Sequence, residues 1–204
     1  MRALVGIGVL VGLAGVAEAK PGGIIVPPLE VELGHSVTGT AGGDTLEATQ
    51  LMIGVGWASL WPRDTPVDFS VGVICNMYPA EQAGVRARVV EPAPPEGDTD
   101  AGTFVDVAVR TARGKHWRTW VGARGELIDQ GEVSSLGMAA RASMELWAPT
   151  VGGDSSGNAV VGIMGTVALS AWAEMGVREH ARGAATFTAA GLGVRIPFMI
   201  AAGG

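Results

Sequence analysis

The chain has 204 residues, 48% of them hydrophobic, with 32 glycines, 5% aromatics and a formal net charge of −6. The acidic balance and the lack of a basic patch with stacking aromatics exclude nucleic acid as a partner, and the single cysteine, Cys75, excludes an internal disulfide. So much glycine disfavours long helices, and the length suits one domain.

At the N-terminus, Met1-Arg2, the apolar run Leu4 to Val16 and Ala17-Glu18-Ala19 supply the three parts of a secretory signal peptide, with cleavage predicted before Lys20. The apolar run is too short for a membrane-spanning helix. Residues 1–19 are therefore read as a signal peptide and 20–204 as a single β-barrel domain.

Lys20 to Pro28 reads as a Pro/Gly-rich entry, and Leu29-Glu-Val-Glu-Leu33 then alternates. After a glycine-rich turn near 39–44, Leu51, Ile53, Val55 and Trp57 oppose Gln50, Gly54 and Gly56. Val67, Phe69, Val71, Val73, Cys75 and Met77 oppose Asp68, Ser70, Gly72 and Asn76. Such period-two patterns predict half-buried strands. Pro79 to Gly102 carries too many prolines for a central strand, although Val85 to Val90 is read as a possible strand extension. Further alternation places Asp106 and Arg110, then Arg118, Arg124 and Glu126, then Arg141, Ser143 and Glu145 opposite apolar partners. The run from Ala159 to Arg178 is read as one long strand with Thr166, Ser170, Glu174 and Arg178 on its polar side. It forms a hairpin with Ala184 to Phe198, where Arg195 lies on the polar side.

About eight such segments predict an all-β, antiparallel up-and-down barrel, and its sense of burial decides its solvent. In a soluble barrel, such as a periplasmic lipocalin-like binder of an apolar small molecule, the apolar faces turn inward. In a transmembrane barrel they turn toward lipid. Here the apolar faces are nearly free of charge, the polar faces mix small residues with balanced charge, and lysine occurs only at 20 and 115. Trp57, Trp61, Tyr78, Trp117 and Trp147 fall toward segment ends, where an interfacial girdle belongs. The inverted, transmembrane arrangement is therefore predicted, its interior filled by Glu30, Glu32, Asp68, Asp106, Glu126, Glu145 and Glu174 with Arg110, Arg118, Arg124, Arg141, Arg178 and Arg195. Balanced charge in a narrow lumen predicts paired side chains rather than an open pore. Glu174 and Arg178 stand out on the inward face of the long strand, where a lone charge has no water to compensate it.

The export signal, the amphipathic segments and the end Gly193-Val-Arg-Ile196-Pro-Phe198 resemble the small OmpA/OmpX-type outer-membrane barrels, whose last strand closes on an aromatic. Met199 to Gly204 continues past that point, a departure from the pattern. The resemblance implies the outer membrane of a Gram-negative bacterium, contact with its lipid, and a structural or surface-interaction role. The acidic loop 91–100 is the candidate extracellular contact. His35-Ser36 is similar to the adjacent His and Ser of outer-membrane lipid A deacylases, but neighbours on a strand face opposite sides and that family's flanking residues are absent. No enzyme is expected, and no catalytic residue, cofactor or metal ligand set is named.

Overall fold

The computed structural model describes residues 23–39, 42–56, 66–89, 99–130, 134–147, 159–163, 167–180 and 183–202. The predicted signal peptide, Trp57, Trp61 and most of the acidic loop (91–98) lie outside the described residues.

Its strands are β1 (Gly23–Gly39), β2 (Thr45–Gly56), β3 (Val67–Met77), β4 (Thr99–Arg113), β5 (Trp117–Asp129), β6 (Ser134–Trp147), β7 (Ala159–Ile163), β8 (Ala168–His180) and β9 (Gly183–Ala202). Eight of them pair antiparallel in the order β1-β2-β3-β4-β5-β6-β8-β9, and β9 pairs back onto β1. The sheet thus closes on itself as an eight-stranded up-and-down barrel, and closure removes the exposed edges of an open sheet. An even strand number sets both ends of the wall, β1's start and β9's finish, at one rim.

Prolines mark where the barrel ladder ends. Pro27 and Pro28 fall at a register shift between β1 and β9, the pairing jumping from Val26↔Phe198 to Leu29↔Ile196. Pro197 faces the break between β7 and β8, which pair with β9 on either side of it. A proline offers no N–H to a ladder, so regular pairing is interrupted here on both sides of β9. Beyond the break, β1, β9 and β7 continue as a three-stranded ribbon. The run from Ala159 to Arg178 is accordingly not one strand but two, and the Pro/Gly entry is strand from Gly23. The longest strand is β9.

At the opposite rim, the segment read as a strand extension at Val85–Val90 is helical as far as Val89, its last described residue: a 3₁₀ turn (Ala80–Gln82) leads into α1 (Ala83–Val89). Arg86 and Val89 are buried and Gln82, Val85 and Ala87 half-buried, all but Ala87 on the i, i+3, i+4, i+7 stripe of an amphipathic helix. Val85 and Val89 pack on Leu46, Ala48 and Tyr78 over the barrel mouth. Tyr78 is therefore buried inside this cap rather than set in an outer girdle. Trp117 is exposed at the start of β5, as a girdle residue would be.

Burial alternates along every strand of the wall, with the polar parity inside. The outward residues include Leu192 and Met138, each 68% exposed, Met175 at 66% and Leu169 at 62%. Inside, Met52, Ile74, Phe104, Ile128, Trp172 and Ala189 form one apolar layer in an otherwise polar lumen. Facing glycines make room for its rings. A Cβ on Gly34 or on its rung partner Gly191 would strike Trp172, and one on Gly54 or its partner Gly72 would strike Phe104.

Candidate functional site: the charged barrel interior

The pairing register sets most of the interior charges beside their partners. Glu30 stands opposite Arg195, Asp106 opposite Arg124, Arg118 opposite Glu145, and Arg141 opposite Glu174. Directly opposed residues in an antiparallel pair bring their Cβ atoms close enough for side chains to meet. The strand ladder thus builds four cross-strand ion pairs before any contact crosses the lumen.

At the centre lies Arg124, whose side chain is 1% exposed. Its Nε and Nη2 donate to the two oxygens of Asp106 at 3.0 and 2.6 Å. Its Nη1 reaches Glu174 Oε2 at 3.1 Å, and Glu32 Oε2 lies 3.7 Å from Nη2. Arg141 spans the lumen to Glu32 at 2.5 Å and also donates to Glu174 Oε2 at 3.3 Å. Five side chains from β1, β4, β5, β6 and β8 are thereby locked together. Faces of aromatic rings cover the guanidiniums: Phe104 lies 4.6 Å from Arg124, and Trp172 lies 4.6 Å from Arg141. Such contacts favour the cation most where water is excluded.

Nearer the termini, Arg195 gathers Glu30 at 2.6 Å, Asp68 at 2.7 Å and Glu145 at 3.2 Å, while Arg118 bonds the other oxygen of Glu145. Arg110 sits at the β4 bulge facing Trp120, half-buried, its own N–H donating to Pro66. On the α1 side, Arg178 donates to Glu126 at 2.6 Å across Gly137, where any side chain would collide with Glu126. Glu174 and Arg178, singled out together from the sequence, therefore serve different partners two layers apart.

Above that pair the lumen turns from ionic to mixed polar. Arg86 of α1 enters the mouth under the Tyr78 ring and bonds Asp100. Burial and the nearby Asp100 carboxylate hold the Tyr78 phenol well above its ordinary range. Gln130 Nε2 lies 3.4 Å from Asp100 Oδ2, and Gln130 Oε1 lies 3.2 Å from His180 Nδ1. Gln50 and Asn76, opposite each other on β2 and β3, are fully buried beside them. Sequence reading missed this group, although Gln50 and Asn76 had been set on the polar face. For Asp100, Gln130 and His180 the same parity was available. For Arg86 the signal was the helical stripe.

The His35-Ser36 pair separates as strand geometry requires. His35 is exposed beside Glu47 at 3.6 Å, and Ser36 is buried with its hydroxyl toward the Ala48 carbonyl. Among the described residues no group of three or more His, Cys, Asp or Glu is arranged to hold a metal.

No family model and no curated protein sequence matches the chain. Among solved structures, it is similar to Neisserial surface protein A, with a TM-score of 0.54 and 14% identity over 83% of this chain and 95% of that one. At that identity the likeness is one of fold. The chain has the fold of an outer-membrane eight-stranded barrel.

Proposed function

We propose that this chain is a non-enzymatic outer-membrane protein of the small OmpA/OmpX type. It is exported by its signal peptide to the outer membrane of a Gram-negative bacterium and acts there as a structural or surface-interaction barrel. One observation carries the reading: the burial is inside out. The outward parity presents Leu33, Val105, Val121, Met138, Leu169, Met175 and Leu192 to the surroundings. Exposed apolar area on that scale is foreign to a soluble monomer and is what a hydrocarbon solvent requires. A lipocalin-like binder needs an apolar lumen instead, and this lumen is filled by ion pairs. Filling by interlocked side chains also speaks for a plugged barrel over an open pore. In this reading the wall contacts lipid, and the acidic segment between α1 and β4 meets an extracellular partner, Thr99 and Asp100 at its end belonging to β4.

A fluorophore at Val105, half-exposed at the middle of β4, tests the reading in lipid vesicles. Brominated lipid is expected to quench it and a water-soluble quencher to leave it bright. Quenching from water alone would return the chain to the soluble class.

A further inference from the structure

Exposed charge is not spread evenly along the barrel. Among the described residues, the exposed acidic side chains are Glu47, Glu81, Asp129 and Glu179, all toward the rim that carries α1. The exposed Arg and Lys side chains are Arg88 of α1 and, at the rim of the termini, Arg113 and Lys115 of the β4–β5 turn. His116 is exposed beside them. The whole chain carries a net charge of −6, so this turn is a local reversal of its sign.

Short-range chemistry fixes the shape of the turn. The Gly114 N–H donates to the Trp117 carbonyl at 2.8 Å, which leaves Lys115 and His116 alone at the tip. Arg113 stands opposite Arg118 in the last rung below them, and the hydroxyls of Thr111 and Thr119 meet at 2.9 Å. A Cβ on Gly114 would strike Nε1, Cε2 and Cδ1 of Trp117. The indole therefore lies across the turn with its polar five-membered ring next to the basic tip. A two-residue connection between paired strands holds these side chains at one point on the rim.

The turn also sits where the apolar wall ends. Trp117 is directly opposite Leu146, and Leu146 is opposite Leu169, all three exposed on the outward face. On β4 the last large apolar residue before the turn is Val109, 52% exposed. Acyl chains packed against these residues bring their headgroups level with what lies just beyond them. An indole at that boundary is an interfacial anchor, and Lys and Arg near an anionic membrane surface are drawn to it. Guanidinium and ammonium groups both donate to phosphate oxygens. Because the Trp117 ring continues the wall, the basic residues stand beside a bilayer rather than over the open mouth.

We infer that the β4–β5 turn docks on the headgroups of anionic phospholipids. Arg113, Lys115 and His116 donate to phosphate oxygens, and Trp117 is seated beneath them at the edge of the hydrocarbon. The inference rests on the proposed membrane location and adds to it a lipid class and the place on the wall where that lipid gathers.

The test puts a fluorophore at Ala112, exposed beside the turn, in a barrel carrying Cys75→Ser. The barrel is refolded into vesicles of phosphatidylcholine and phosphatidylglycerol in equal parts, with one lipid or the other brominated in its acyl chains. Brominated phosphatidylglycerol is expected to quench the probe more strongly. The local enrichment is expected to reach about fivefold, the factor that one basic side chain near an anionic surface confers. Added salt is expected to erase the preference. Arg113→Gln combined with Lys115→Gln is expected to make the two lipids equal. Should that pair not refold, Lys115→Glu alone carries the same expectation. A probe at Thr186, exposed on β9 near the acidic rim, is expected to show no preference for phosphatidylglycerol. The Val105 probe separates the two claims. If both lipids reach Val105 while Ala112 shows no preference, or keeps it in the variants, or shares it with Thr186, the docking inference alone is overturned. If neither lipid reaches Val105, the membrane location falls and this inference falls with it.

Discussion

Replacing Arg124 by Met leaves Glu32, Asp106 and Glu174 around the single guanidinium of Arg141. Removing one partner from a buried ionic group costs about 3–5 kcal/mol because the remaining charges stay desolvated. Arg124→Met is therefore expected to lower the urea midpoint of the folded barrel steeply, and a midpoint within error of wild type would mean that water reaches this layer. Individual charges of this network were legible in the sequence because strand parity sets each of them on the inner face. Their partnerships were not. Glu174 and Arg178 share a strand face, yet the register hands Glu174 to Arg141 and lets Arg178 reach Glu126 over Gly137. Register comes from pairing across the sheet, which one strand's alternation does not contain.

At the scale of the element, α1 shows how a short apolar pattern misleads. Val85, Ala87 and Val89 alternate with Arg86 and Arg88, so period two fits, but so does the stripe Gln82, Val85, Arg86, Val89. Over so few residues periodicity does not separate the two, and the apolar floor offered by Leu46, Ala48 and Tyr78 decides for the helix. Two ion pairs hold the cap, and they differ in kind. Arg86–Asp100 is buried, whereas Arg88–Asp44 is largely open to solvent at 2.9 Å. The Arg88 hydrogen bond holds the Asp44 carboxyl below its usual range. A carboxylate depressed in the folded state adds stability above its unfolded value and loses it as pH falls through the folded one, so this outer tether releases only in acid. Exposed pairs contribute little. Arg86→Ala is expected to open the cap, residues 78–89, to protease while the barrel itself stays resistant, and Asp44→Asn to leave cleavage at the wild-type rate. Equal cleavage of both variants would mean that apolar packing alone seats the helix.

For the molecule as a whole, the inversion of inside and outside was legible because it needs only parity and the identity of the residues on each face. Closure into a barrel was read from the count of about eight amphipathic segments, and the pairing of β1 with β9 meets it. The level at which the barrel stops was not legible, being set by Pro27, Pro28 and Pro197 acting together across two strands. That seam permits a test of which residues make the barrel. Leu29–Gly39 pairs with Thr186–Ile196 above the prolines, and Gly23–Val26 pairs with Phe198–Ala201 below them. If closure rests on the upper rungs, a chain ending at Ile196 keeps every pair in the wall from β1 round to β9 and loses only the ribbon with β7. It is then expected to refold in detergent and to keep the heat-sensitive fast gel mobility of a closed barrel. A truncated chain that migrates as unfolded without heating would show that the ribbon below the prolines is needed to hold the seam shut.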